Sequence, residues 1–223
     1  MSMSRTDVIC IGAVLVHVAL VAVFYADLPD PVPSHWNAAG EVDGYTAKPW
    51  GAWLFPIITL GVFLLFKVVP WISPHGFRMD TFLNVVDILK LASVLFMLVI
   101  GVTVLLSARG ASFDPGRIVL PGVGVLLLVT GNYMGKLRKN FFIGIRTPWT
   151  LASDEVWART HRLGGWMFVL AGLVLILSGL TGWPPMPGLL IAVVLIAAFV
   201  PVIYSFVIYR RVEGFGSDED TED

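Results

Sequence analysis

The chain is 223 residues long, 57% hydrophobic and only 14% charged, with a mean hydropathy of +0.81. Soluble domains carry roughly 25% charged residues, so this composition excludes a water-coated globular domain and implies an integral membrane protein. A formal net charge of −1 excludes the broad basic field of a nucleic-acid binder, and a single cysteine, Cys10, excludes an intrachain disulfide.

In chain order, the first apolar block is Val8–Ala26. It is longer than the roughly 7–15-residue core of a secretory signal and reads as a retained first helix, with His17 its one strongly polar group. Asp27–Trp50 follows as a loop stiffened by Pro29, Pro31 and Pro33 and turned by Asn37, Gly40, Asp43 and Gly44. Trp36, Tyr45, Trp50 and Trp53 suit the headgroup level of a bilayer. The second span is Gly51–Val69, with Lys67 near enough to its end to snorkel. After the polar turn Ser73–Asp80, Thr81–Lys90 is helical, with Asp87 and Lys90 as i,i+3 neighbours, and Leu91–Ala108 is the third span. Arg109–Arg117 is a short loop before the fourth span, Ile118–Gly135.

Beyond the polar stretch Asn132–Trp166, Leu163–Tyr209 holds no charged residue. At about 1.5 Å per residue against a hydrocarbon core about 30 Å thick, it is too long for one span. The adjacent prolines of Gly182–Gly188 cut it into a fifth and a sixth span. The tail, Gly214–Asp223, is acidic and reads as disordered. The expected fold class is therefore an all-α integral membrane protein, a six-helix transmembrane bundle with a short interfacial helix in the fourth-to-fifth span loop. Its expected divisions are a two-span unit at 1–70 with the proline-rich loop at 27–50, a third span with flanking loops at 71–117, a second region at 118–209, and a tail at 210–223.

Six spans put both termini on one side. That side collects twelve of the fifteen basic residues, leaving Lys48, Arg109 and Arg117 opposite. Lysine and arginine concentrate in cytoplasmic loops, so the termini and Asn132–Trp166 are expected inside and the proline-rich loop outside, in the plasma membrane.

The inner stretch carries Lys136, Arg138, Lys139, Arg146, Arg159 and Arg162 among Trp149, Trp157 and His161. Ser153 followed by Asp154 and Glu155 is a helix start. Glu155 and Arg159 form an i,i+4 pair, and Trp157 and His161 share a face. This helix is expected to lie along the inner membrane surface until Gly164-Gly165 turn the chain into the fifth span. Two readings stay open for it: a structural elbow with arginines on lipid phosphate, or a surface for a ligand or partner. Asp154 and His161 stand two turns apart with no nucleophile beside them, so no enzyme is indicated. Asp30, His35, Glu41 and Asp43 could gather around a cation, but no paired histidine or cysteine signature supports a metal, and no cofactor is expected.

The run GNYMGKLRKNFFIGIRTPWTLASDEVWARTHRLGGW resembles the signature region of the SdpI family, and LPDPVPSHWNAAGEVDGY resembles the small domain of unknown function that often precedes it. The positions carrying the resemblance are Gly144, Ile145, Arg146, Thr147, Pro148, Trp149, Thr150, Trp157, Thr160, His161, Gly164 and Gly165. A departure stands at Phe141-Phe142. The resemblance implies a plasma-membrane receptor and immunity protein that protects the cell from a secreted toxic peptide and, in the best-known case, holds a transcriptional autorepressor at the membrane. The partner-binding residues expected inside are Arg146, Thr147, Pro148, Trp149, Trp157, Arg159, His161 and Arg162. Those expected to meet the peptide outside are His35, Trp36, Asn37, Gly40, Asp43 and Tyr45. The competing class is a small transporter or channel, which the sequence disfavours because no span, as bounded above, carries an acidic residue.

Overall fold

The computed structural model describes residues 3–37, 41–74, 77, 79–182 and 187–214. Six helices are long and apolar enough to cross a membrane: α1 (Arg5–Phe24), α2 (Lys48–Ile72), α3 (Leu83–Ala108), α4 (Gly116–Met134), α6 (Asp154–Thr181) and α7 (Pro187–Val212), with a short α5 (Pro148–Ala152) before α6. The all-α bundle expected from hydropathy is present. The turn between α6 and α7 and the acidic tail lie mostly or wholly outside the described residues, as does Gly40.

One element was not anticipated. The proline-rich loop contains an antiparallel ribbon of β1 (Val32–Trp36) and β2 (Val42–Thr46), with Val32 opposite Thr46 and His35 opposite Gly44. Pro33 can sit there because a two-stranded ribbon is all edge. A Cβ at Gly44 would stand 2.8 Å from the His35 Cβ, so a side chain there would spoil the pairing. At the tip the Asn37 N–H donates to the Glu41 carbonyl at 2.9 Å, and the Glu41 N–H donates to Asn37 Oδ1 at 3.0 Å. At the base Val32 is buried against Ala52 of α2 and Leu105 of α3, which fixes the ribbon on the bundle.

Two helix starts differ from expectation. α1 starts before the uncharged run, because Ser4 and Asp7 form a reciprocal capping box. α3 runs unbroken from Leu83, so Asp87 and Lys90 belong to it. Spanning helices therefore do carry acids. Asp7 is 1% exposed and Lys90 2%. Lys90 donates to Asp7 at 2.5 Å and to Asp87 at 2.6 Å, while Lys67, instead of snorkelling, donates to Asp7 at 2.8 Å. Two carboxylates and two ammoniums thus join α1, α2 and α3. His17 links α1 to α2 farther out: the Thr59 hydroxyl donates to the Phe55 carbonyl at 2.7 Å and accepts from His17 Nδ1 at 3.0 Å.

The second helix group is α4, α6 and α7. On α6, Gly165, Gly172 and Gly179 recur every seven residues, and Gly124 and Gly131 answer at the same spacing on α4. A Cβ at Gly131 would lie 2.5 Å from the Gly165 carbonyl oxygen, and one at Gly172 would lie 2.5 Å from that of Gly124. These two backbones touch, which is how membrane helices pack when apolar burial gives no drive. Gly164-Gly165 were expected to turn the chain. They lie inside the continuous α6, and Gly165 is spent on this contact.

The two groups meet at the end that carries the termini. There Val69 of α2, Phe82, Val86 and Leu89 pack in one buried cluster with Met134 and Trp157. Extra volume at the α4–α6 contact has nowhere to go, so Gly172→Ala is expected to lower stability by about 1–3 kcal/mol. Gly12→Ala, where a Cβ meets nothing, is expected to be neutral or slightly stabilising. Thermal midpoints of the detergent-solubilised variants check both, and equal midpoints would rule out the backbone contact.

Candidate functional site

Two places gather the polar groups singled out by the sequence, one at each end. At the end that carries the termini, the one expected inside, residues 135–153 fold into a lattice rather than a loose loop. Asn140, fully buried, is its hub: Oδ1 accepts from the N–H groups of Phe142 (2.8 Å) and Ile143 (2.7 Å), while Nδ2 donates to the carbonyls of Arg138 (2.8 Å) and Ile143 (3.0 Å). All four hydrogen-bonding positions of the amide are thereby used. His161 Nε2 accepts from the Ile145 N–H at 3.0 Å, which leaves Nδ1 to carry the proton and donate to the Trp157 carbonyl at 2.8 Å. The Trp157 indole stacks on the His161 ring with centroids 4.0 Å apart and donates to the Leu137 carbonyl at 2.8 Å.

Gly144 completes the wrap. Its φ of +117° and a Cβ position 2.4 Å from His161 Nε2 admit only glycine. Thr147 and Thr150 form a capping box at the start of α5, and the Thr147 hydroxyl meets Ser205 of α7 at 3.0 Å. As expected, Ser153 caps α6, accepting from the Val156 N–H at 3.4 Å, and Glu155 pairs with Arg159 at 2.5 Å.

Of the inner residues expected to meet a partner, Thr147, Trp157 (3% exposed) and His161 (0% exposed) are buried in this lattice. Their polar groups are consumed by the fold, so the shared Trp157–His161 face points inward. Arg146, Pro148, Arg159 and Arg162 are exposed, and Trp149 is half-buried against Phe206. Arg146 donates to the Phe141 carbonyl. Asn140 and Ser205 were not picked out, and Gly144 was singled out only as a position carrying the resemblance. For Asn140 the visible hint was a lone asparagine between basic and aromatic residues.

At the opposite end a cleft of about 680 Å³ opens between the two helix groups. Ser34, His35, Trp36 and Asn37 of the ribbon form one side. Phe55 and Val104 form its floor, Leu120 and Ile191 the far wall, and Asp114 and Arg117 lie at the start of α4. His35 Nδ1 and Asp43 meet at 2.5 Å, with the His35 side chain 71% exposed. Asp30 instead accepts from the Lys48 N–H at 3.1 Å, and Glu41 bonds Asn37 across the tip at 3.0 Å. Tyr45 and Trp50 are exposed, whereas Trp53 packs near Tyr25. Three of the expected outer residues, His35, Trp36 and Asn37, thus line one concave site. Asp43 reaches it only through His35, and Tyr45 lies on the other strand.

Residues 136–205 match the SdpI/YfhL protein family, and residues 12–60 match a domain of unknown function, DUF1648. Immunity protein SdpI of Bacillus subtilis (strain 168) is 26% identical over 211 residues, covering 94% of this chain and 99% of the relative. The chain is thus similar to the SdpI family over its C-terminal region and to Immunity protein SdpI over nearly its whole length. It is a multi-pass plasma-membrane protein. No solved structure matches it. The SdpI region contains the Asn140–His161 lattice, α5, α6 and most of α7. The DUF1648 region contains most of α1, the ribbon and the first half of α2. The cleft is where the two regions face each other: His35, Trp36 and Phe55 belong to one, Ser178, Leu190 and Ile191 to the other.

The lattice predicts a split among SdpI-region variants. Asn140→Ala leaves two backbone N–H groups without an acceptor, at about 1–3 kcal/mol each, and His161→Phe leaves one. Arg146→Ala alters an exposed side chain, for which a change within about 0.5 kcal/mol is usual. Denaturation midpoints are expected to fall for the first two and hold for the third. A loss at Arg146 equal to that at Asn140 would make the arginine part of the lattice.

Proposed function

We propose that this chain is an immunity protein that engages a secreted antimicrobial peptide in the outer cleft and holds a cytoplasmic transcriptional repressor at its inner end. The observation that carries this reading is the cleft itself. It is concave, largely apolar in its floor, rimmed by a few polar groups, and of the volume usual for ligand sites. It also joins the two matched regions, so a ligand seated there touches both. The whole-length similarity to Immunity protein SdpI supports the same activity here.

The inner end is read as the repressor's surface on chemistry of its own. Arg146, Arg159 and Arg162 are exposed there around Pro148 and the edge of Trp149, while the buried members of the motif hold that surface in shape. Bound lipid phosphate is a second use of the same arginines. The transporter alternative gains the buried Asp7 and Lys90, but those charges are spent on each other, on Lys67 and on Asp87 at the inner end, away from the cleft.

Orientation comes first in the test. In a Cys10→Ala background, a cysteine introduced at Ser34 is expected to react with an impermeant thiol reagent in intact cells. A cysteine introduced at Arg146 is expected to react only after permeabilisation, and the opposite pattern reverses the membrane sidedness.

For function, a sensitive host expressing the protein is challenged with the secreted peptide encoded nearest its gene. Survival is expected with the wild type, and it is expected to be impaired by Trp36→Ala combined with Asn37→Ala. Arg159→Ala with Arg162→Ala is expected to leave survival intact while releasing the repressor from the membrane fraction. Absence of protection at confirmed membrane expression, together with absence of peptide binding in detergent, defeats the immunity reading and favours transport.

A further inference from the structure

The outer end differs in charge from the rest of the chain. Between Leu28 and Ala47 the ribbon carries Asp30, Glu41 and Asp43 and no lysine or arginine, a formal charge of −3 with His35 neutral. The cations on this side are already engaged. Lys48 reaches the Ala26 carbonyl at 3.3 Å and lies 5.0 Å from the Tyr25 ring centroid. Arg109 pairs with Asp27 at 3.5 Å and lies over the Phe24 ring, and Arg117 stands 3.8 Å from Asp114. An anionic ribbon therefore borders the cleft, which its residues Ser34–Asn37 line while Asp30, Glu41 and Asp43 lie outside the lining.

The cleft interior is of another kind. Phe55, Ile100, Val104, Leu120 and Ile191 supply its wall, and the buried Thr103 hydroxyl is used up on the Val99 carbonyl at 2.8 Å. Val104 is buried, Phe55, Ile100 and Leu120 are half-buried and Ile191 is exposed, and such an apolar lining offers charge and unpaired polar groups no partner. Volume sets the length of what enters. A helix about 10–12 Å across, rising about 1.5 Å per residue, displaces roughly 120–170 Å³ per residue. About 680 Å³ then holds at least about four to six residues, enough for one end of a peptide.

We propose that the occupant is a cationic amphiphilic peptide whose apolar end, about four to six residues, is seated in the cleft while its basic part lies along the Asp30–Glu41–Asp43 ribbon. The proposal rests on the immunity reading and specifies its ligand class. The two features act on different parts of binding. The ribbon charges raise the association rate and are screened by salt, with a Debye length of about 10 Å at 0.1 M and about 3 Å at 1 M. The apolar seat sets the dissociation rate.

The probes are three synthetic, fluorescently labelled peptides: a lysine-rich helix with a six-residue Leu/Phe end, the same helix with glutamate for lysine, and the lysine helix with a Ser/Asn end. They are titrated against the full-length protein in detergent, with empty micelles as reference. The first is expected to bind at least tenfold more tightly than either of the others, and its association rate is expected to fall at least tenfold between 0.05 and 0.5 M salt, a range chosen to span strong and weak screening. Glu41→Gln with Asp43→Asn is expected to slow association only. Ile191→Trp and Leu120→Trp, which fill the cleft, are expected to speed dissociation, and Ile191→Ser is expected to do the same without added bulk.

Equal binding of the glutamate peptide overturns the charge assignment, and unchanged dissociation in folded Ile191→Trp and Ile191→Ser overturns the apolar seat. Protection of the sensitive host that persists with the cleft filled also overturns the seat while leaving the immunity reading intact. Loss of protection and of binding in the wild type removes the immunity reading itself.

Discussion

Everything functional in this chain hangs on the backbone contact between α4 and α6. Because glycines at a seven-residue spacing let carbonyl oxygens of one helix touch the backbone of the other, the two rods are held at a fixed distance over most of their length. The inner lattice bridges their near ends: Leu137, just past α4, accepts from Trp157 of α6, and Ile145 donates to His161. The outer cleft lies at their far ends, between Gly116–Leu120 of α4 and Ser178–Gly179 of α6. Loosening this contact would deform both sites at once, so the glycines matter to chemistry they never touch.

The N-terminal helix group is built by another route. α1, α2 and α3 share no glycine ladder. They are joined by the Asp7, Lys67, Lys90 and Asp87 cluster and by the His17–Thr59 bond. Apolar side chains gain little by leaving lipid for protein, so specific polar contacts carry much of the choice of partner helix in a membrane. A buried ion pair is costly to make and more costly to break, because removing one member leaves the other uncompensated. The cluster therefore acts more as a specifier of which helices pack, and in which register, than as a source of net stability.

How far the sequence announced this depends on the range of each signal. The six spans were legible because hydropathy and helix rise are local, and the capping of α6 by Ser153 is a four-residue pattern. The ribbon was not, since its strands are five residues each and full of proline and polar residues, with only Val32 deeply buried. Trp157 and His161 were rightly placed on one face, but periodicity gives a face without saying which way it points. Burial turned them from candidate contacts into lattice. Gly164-Gly165 read as a turn because a glycine pair has two uses, and only the position of α4 decides between them. The cleft had no local signal at all: His35, Arg117 and Ile191 are distant in sequence and meet only through the packing of both helix groups.

The same packing constrains any communication between the two ends. The groups are clamped at the inner end by the Val86–Met134–Trp157 cluster and part at the outer end, so a ligand in the cleft works on the open side of a hinge-like pair. Ser178 in the cleft wall and His161 in the lattice belong to one uninterrupted helix, about 26 Å apart at about 1.5 Å per residue. Because the glycine contacts tie α6 to α4 along most of their length, the two would tilt together about the Val86–Met134–Trp157 cluster. That tilt would shift Trp157 against Val86 and Leu89, beside the lattice that carries the exposed arginines. Such a shift requires the ligand to bind two tilt states unequally. Under the proposed function, a peptide whose end merely fills existing space would be bound without signalling, whereas one that wedges α6 away from the ribbon would also shift the opposite end. Protection and repressor capture would then be separable, set by the size of the seated end.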